Sequence, residues 1–131
     1  MANKTYKPLL IDSILATANL PKQRFISFTG GVCTAGEKAL GVSDVETDIG
    51  QYAPVGVVGI LLVEAGGEIT QGSAVTSDAN GKAVTATDDT IESTTEDEVT
   101  TYSIQKGTAV NGYALDAATA SGDIIRIARG I

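Results

Sequence analysis

The stretch Asp44-Val45-Glu46-Thr47-Asp48-Ile49-Gly50-Gln51 runs straight into Tyr52-Ala53-Pro54-Val55-Gly56-Val57-Val58-Gly59-Ile60-Leu61-Leu62-Val63. Its skeleton returns 72 residues later as Asp116, Thr119 and Gly122, ahead of Asp123 and Ile124-Ile125-Arg126-Ile127. A glycine precedes each aspartate, Gly41 in the first copy and Gly112 in the second. Glycine followed by one polar residue and an apolar run reads as a tight turn entering a strand. The two copies are therefore two equivalent strand entries in one β-body, with Asp44 and Asp116 as turn caps and Gly50 and Gly122 as the turns themselves. The unit reads as architecture, with its carboxylates in turns and not as a nucleophile, base or metal ligand.

Working outward, Val55 to Glu64 is a nearly continuous apolar run of the kind expected of a central strand covered on both faces. Downstream, Ile69, Ala74 to Thr76 and Ala83 to Ala86 read as short strands. Asn80-Gly81 between two of them is a hairpin signal, because both residues tolerate positive φ. Val99 to Lys106, Val110 to Asp116 and Asp123 to Arg129 supply further strands. In the last of these Ile125 and Ile127 alternate against Arg126, and Arg129 joins their face only by a break in register. Upstream, Gln23 to Thr29 and Lys38 to Ser43 complete the set. Short strands about every ten residues predict a mainly β fold, a compact β-sandwich or barrel.

Two segments depart from that texture. Residues 1–22 form an N-terminal arm ahead of a single β-domain at 23–131. Leu10, Ile14 and Leu15 fit helical spacing with Pro8 at a permitted first-turn position, yet the same residues also suit an extended arm. The second segment, Asp88 to Glu98, holds six acids and no base, and reads as a solvated, mobile loop. Its carboxylates lack the alternating ligands and turn glycine of a calcium loop.

Composition narrows the function. A chain of 131 residues is one domain with room for a real core. Its apolar residues are mostly small and branched, with no Trp and two Phe, so that core is thin. There is no histidine, which removes the usual general base and the commonest metal ligand. The single cysteine, Cys33, has no internal disulfide partner and reads as a structural thiol. Nine basic residues against sixteen acidic ones give a net charge of −7, which disfavours nucleic acid. No apolar run reaches the roughly 18 residues of a membrane helix, and no signal sequence opens the chain, so a soluble protein folding in a reducing cytoplasm is expected. No catalytic motif is present, and neither a cofactor nor a metal is expected.

One carrier motif competes. The run from Val63 to Val75, followed by Gly81-Lys82-Ala83, resembles the turn of lipoyl and biotinyl carrier domains, which would make Lys82 an attachment site. Those families flank the modified lysine with Asp or Met, whereas here the flanks are glycine and alanine.

A broader likeness covers residues 23 to 131. Ala39-Leu40-Gly41-Val42-Ser43-Asp44, the block from Val63 to Val84, and the ending Gly112-Tyr113-Ala114-Leu115-Asp116-Ala117-Ala118 with Ser121-Gly122-Asp123-Ile124-Ile125-Arg126-Ile127 together resemble small tailed-phage head decoration proteins, also called capsid cement proteins. The resemblance implies a non-enzymatic virion protein, made in the host cytoplasm, that binds the outside of the assembled head and bridges subunits of the major capsid protein. It also implies a homo-oligomer, with a trimer favoured over a dimer. Within that frame the arm residues Lys4, Lys7, Leu9, Leu10 and Ile11 are the candidate capsid contacts. Deleting residues 2–20 is then expected to abolish attachment and leave the body folded.

Overall fold

The structure is a computed structural model and describes residues 5–130. Among the described residues ten strands follow one another: β1 (Lys7–Leu15), β2 (Phe25–Ile26), β3 (Gly41–Ser43), β4 (Tyr52–Glu64), β5 (Ala74–Ser77), β6 (Ala83–Thr85), β7 (Thr90–Glu96), β8 (Val99–Gln105), β9 (Gly112–Ala114) and β10 (Ile124–Arg129). Eight of them form one sheet in the order β2-β3-β4-β10-β9-β5-β6, with β1 added on β4, and β7 and β8 pair only with each other. The sheet curls into a nearly closed barrel, in line with the mainly β fold expected from the sequence. Every regular element among the described residues is a strand, and the extended form of the N-terminal segment is the one adopted.

β4 is the central strand, as its apolar run predicts. Gly59 and Ile60 pair with Pro8 and Lys7 of β1 and also with Arg129 and Ala128 of β10. A residue has only two hydrogen-bonding edges, so β1 and β10 lie on opposite sides of β4. β3 pairs with Val55 and Gly56, which face β1 on the other edge, so it shares β10's side. The expected covering of both faces is only partial. Ala53, Val55, Leu61 and Val63 are fully buried, while Val57, Val58, Ile60 and Leu62 are half-buried.

The repeated Asp-Thr-Gly text marks a genuine duplication of structure. β1 pairs with the first half of β4 through Leu15–Tyr52, Ile14–Ala53 and Ser13–Pro54. The second half of β4 pairs with β10 in the same way through Glu64–Ile124, Val63–Ile125 and Leu62–Arg126. The Phe25–Val42 and Ile26–Gly41 pairs of β2 and β3 recur as Ala74–Tyr113 and Val75–Gly112 of β5 and β9. The bridge Leu20–Thr47 recurs as Ile69–Ala118. β4 thus serves both halves, closing the first and opening the second. The textual match is one residue out of step with the spatial one: the spatial equivalents of Asp44 and Thr47 are Leu115 and Ala118. An extra residue before Gly122 restores the phase, so Gly50 and Gly122 do coincide, each donating its N–H to Ala16 or Ala65.

The core is built of small side chains around one aromatic ring. Phe25, Leu61, Ile125 and Ile127 pack with Cys33, Ala39, Ala65, Val75, Ala83, Ala114 and Ala118. Ala16, Leu20, Ile26, Ala53 and Val55 form a second, smaller cluster, so the end of the N-terminal segment belongs to the interior. Closure of the barrel rests on β2 and the β5–β6 turn: the Phe25 N–H donates to the Gly81 carbonyl at 2.7 Å, and Arg24 Nη1 donates to that of Asn80 at 3.1 Å.

Candidate functional site

The ionisable groups are arranged for structure. Cys33 is fully buried, and burial with Glu37 nearby pushes its thiol up to about 12, so no nucleophilic thiolate forms near neutral pH. Among the described residues no three His, Cys, Asp or Glu side chains gather as a metal site. Lys82, the candidate attachment lysine, has its amine 3.0 Å from Glu64, which also faces Arg24 at 3.4 Å. The hydrogen bond from Lys82, followed by the charge of Arg24, holds the Glu64 carboxyl below its ordinary range against the opposing effect of burial. A carboxyl with a depressed folded pKa stabilises fully above its unfolded value and loses that contribution as pH falls through the folded one. Glu64→Gln is therefore expected to be less stable than the wild type at pH 7. The gap should close on acidification below about pH 4. Urea midpoints measured from pH 7 to 3 check this, and a gap constant across that range would refute it.

Two polar side chains whose place sequence reasoning missed, Asn111 buried and Arg129 half-buried, knit the halves together. Asn111, 1% exposed, accepts the Ala39 N–H at 2.9 Å through Oδ1 and donates from Nδ2 to the Glu37 carbonyl at 2.8 Å. Arg129 donates to the carbonyls of Val57 (2.9 Å), Asn111 (2.9 Å), Ala39 (3.1 Å) and Leu40 (3.2 Å). Burial lowers its pKa from the usual arginine range. The expected register break does not occur: β10 pairs with β4 in unbroken step from Ile124 to Arg129, so Arg129 shares the inward face of Ile125 and Ile127 at the end of the barrel.

The turn residues occupy distinct niches. Gly50 (φ 87°) and Gly122 (φ 98°) adopt left-handed backbone in open surroundings. The Asp44 carboxylate and Tyr6 line one pocket, and the Tyr6 hydroxyl pKa is raised by burial and by the Asp44 charge, so Asp44 faces the N-terminal segment from the body. Asp116 instead accepts the backbone N–H of Arg126 at 3.0 Å and pairs with its guanidinium at 2.9 Å. In the β5–β6 turn, Asp78 Oδ1 accepts the N–H groups of Asn80 (2.8 Å) and Lys82 (2.9 Å), and Gly81 is buried at φ 77°.

What remains for interaction is surface, and one apolar part of it lies on β1. Leu9 is 82% exposed, Leu10 52%, Ile11 47% and Leu15 45%. Lys7 is exposed beside them, and Lys4 lies outside the described residues. A register shift between Pro8 and Ile11 turns successive side chains outward. The inner edge of β1 is occupied by β4, and among the described residues no strand pairs with its outer edge. An open groove of about 290 Å³ beside it is lined by Lys7, Leu9, Val58, Ile60 and Ala128.

The acidic segment is not the mobile loop that its charge suggests. Thr90–Glu96 and Val99–Gln105 pair along their whole length as a two-stranded ribbon. Asp97 (φ 52°) and Glu98 (φ 66°) make the two-residue turn with both central residues at positive φ. The legible signal was the density of Thr, Ile, Val and Tyr on either side, which favours strand whatever the charge between.

The fold has a solved counterpart. The crystal structure of the N base of head fiber gp8.5 of bacteriophage phi29 superposes with a TM-score of 0.62 at 20% identity, covering 91% of this chain and 92% of that one. At this identity the likeness concerns the fold. Among curated proteins there is no match. The family description "phage cement protein" matches residues 10–129, nearly the whole chain. With its ten-strand body, the chain belongs to the phage cement protein family and is a capsid-associated phage protein.

Proposed function

We propose that the protein is a structural, non-enzymatic component of the virion that attaches to the outside of the assembled head and bridges neighbouring subunits of the major capsid protein. It is made in the host cytoplasm and acts as a homotrimer, with β1 as its docking strand. The observation that carries this reading is the pairing of a backbone edge that no described strand covers with the exposed side chains of Leu9, Leu10 and Ile11 on the same strand. Such an edge takes up a partner strand through main-chain hydrogen bonds, with apolar side chains setting register. Lys7, and Lys4 ahead of it, add positive charge to an otherwise acidic protein. Modest contacts repeated over a lattice stabilise through avidity and select the assembled shell, because only that state presents all of them together.

Ala16 and Leu20 are core residues, so a truncation through residue 20 would cut into the body, and point changes separate the two effects better. The triple variant Leu9→Asp, Leu10→Asp, Ile11→Asp is expected to keep its melting temperature within a few degrees. Its retention on purified expanded capsids should fall by at least roughly tenfold, about 1.4 kcal/mol, and capsids treated with it should gain no resistance in a heat-release assay. Unchanged retention would overturn the role of β1. Light scattering after gel filtration tests the trimer, and a monomer at micromolar concentration counts against it.

A further inference from the structure

The β7–β8 ribbon has no counterpart in the first half of the duplication and stands apart from the barrel sheet. It joins the body at its base, where the Thr87 N–H donates to Thr108 Oγ1 at 2.9 Å and the Thr108 N–H to the Thr87 carbonyl at 3.0 Å. Every residue of both strands is exposed. An isolated two-stranded ribbon is marginal in water, so it gains from being covered.

Its two faces differ in chemistry. Directly opposed residues share a face. One face carries Ile91 with Ile104, Ser93 with Tyr102, and Thr95 with Thr100. The other carries Thr90 with Gln105, Glu92 with Ser103, Thr94 with Thr101, and Glu96 with Val99. The first face has no charge, and its Ile91, Tyr102 and Ile104 are 72%, 71% and 66% exposed. Both strand carboxylates lie on the second. At the tip of the first face the Thr95 and Thr100 hydroxyls bond to each other at 3.1 Å, which leaves one O–H donor at the edge of the face.

We propose that the uncharged face of the ribbon packs against the same face of a second copy of the chain. Charge selects this occupant. The protein carries a net charge of −7, and the ribbon and its flanks hold Asp88, Asp89, Glu92, Glu96, Asp97 and Glu98 against Lys106. A basic partner would be drawn to the carboxylate face and tip. Two copies meeting on the neutral face bury no carboxylate and leave Glu92 and Glu96 pointing to solvent on the far sides. Like-charge repulsion over the rest of the ribbon then disfavours every other mutual orientation. A ribbon this short covers far less than the roughly 800 Å² per partner of a stable interface, so it sets the alignment of copies whose bodies also meet. A same-face contact has two-fold symmetry, so it joins a pair of copies, within a dimer or between two trimers; the proposal rests on the homo-oligomer reading above and requires nothing of the capsid.

Cysteine trapping reads such a contact directly. Ser93 sits at the middle of the neutral face and Thr94 on the opposite one, while Cys33 is buried and inert. In the full chain under mild oxidation, Ser93→Cys is expected to give at least tenfold more disulfide-linked dimer than Thr94→Cys, and adding Ile104→Glu should remove it. Equal trapping at the two positions, or none at Ser93→Cys, overturns the proposal. So does trapping of Ser93→Cys onto capsid protein in place of a second copy when purified capsids are added. If the wild type fails to bind capsids while trapping at Ser93→Cys persists, the capsid role fails and the ribbon contact stands. If capsids are bound by an oligomer that shows no trapping, only the ribbon contact fails.

Discussion

Arg129→Met is expected to destabilise the protein by about 3 kcal/mol, because it leaves carbonyl oxygens of Val57, Asn111, Ala39 and Leu40 short of a donor at a partly dehydrated seam. Methionine keeps the apolar stem and so isolates the loss of the guanidinium. The carbonyls come from β4, from the entry to β3 and from the entry to β9, so a single side chain fastens the first half of the duplication to the second. Arg129→Lys should recover little, since one ammonium cannot reach four acceptors spread over a planar fork. Urea unfolding at a fixed protein concentration measures both variants. A loss below about 1 kcal/mol for Arg129→Met would mean that water replaces the guanidinium at these carbonyls.

Gly81→Val is the second large effect, and the contrast with Gly50→Ala explains it. At Gly50 a side chain meets open space, so Gly50→Ala suffers only from its left-handed backbone, about 1 kcal/mol. At Gly81 the backbone is also left-handed, but a Cβ would stand 2.6 Å from Val32 Cγ1 and 3.0 Å from the Phe25 carbonyl oxygen. A β-branched residue there is strained at the backbone and forces β2 away from the turn. That breaks the Phe25-to-Gly81 hydrogen bond across the barrel seam. A loss of about 3 kcal/mol or more is expected, with a broadened thermal transition. Equal losses at Gly81→Val and Gly50→Ala would show that the seam yields without cost.

What the sequence made legible was local. Turn glycines at 50, 81 and 122, the hairpin around Asn80 and the apolar run of β4 could all be read because φ preference and alternation act within a few residues. Pairing across the chain could not. Nothing in Tyr52 to Glu64 says that β1 takes one edge of this strand while β3 and β10 divide the other. The duplication was visible as Asp, Thr and Gly, yet its true phase depends on which backbone groups meet, and the aspartates proved to have different partners, Tyr6 and Arg126. Arg129 was placed on the inward face only by a register break, because an arginine at an inward position is expected to need a carboxylate, whereas here the barrel's end supplies carbonyls. The acidic segment was misread as a loop because charge was weighed above the threonines and isoleucines that make it a ribbon. The β1 surface was nameable from its run of leucines, but that its backbone edge stands open is a property of the sheet.

The shared strand also fixes how the molecule answers to force. β1 runs antiparallel to β4, in unbroken step from Ile11 to Leu15 beyond the register shifts between Pro8 and Ile11, and β4 runs on into its pairing with β10. A pull on the N-terminal end of β1 directed along the strand loads the hydrogen bonds from Ile11 to Leu15 in shear, so that they give way together rather than peel one after another. Tension then passes through a single unbroken backbone, β4, from one half of the barrel to the other. A load applied along the axis of β1 would therefore strain the barrel along its strands.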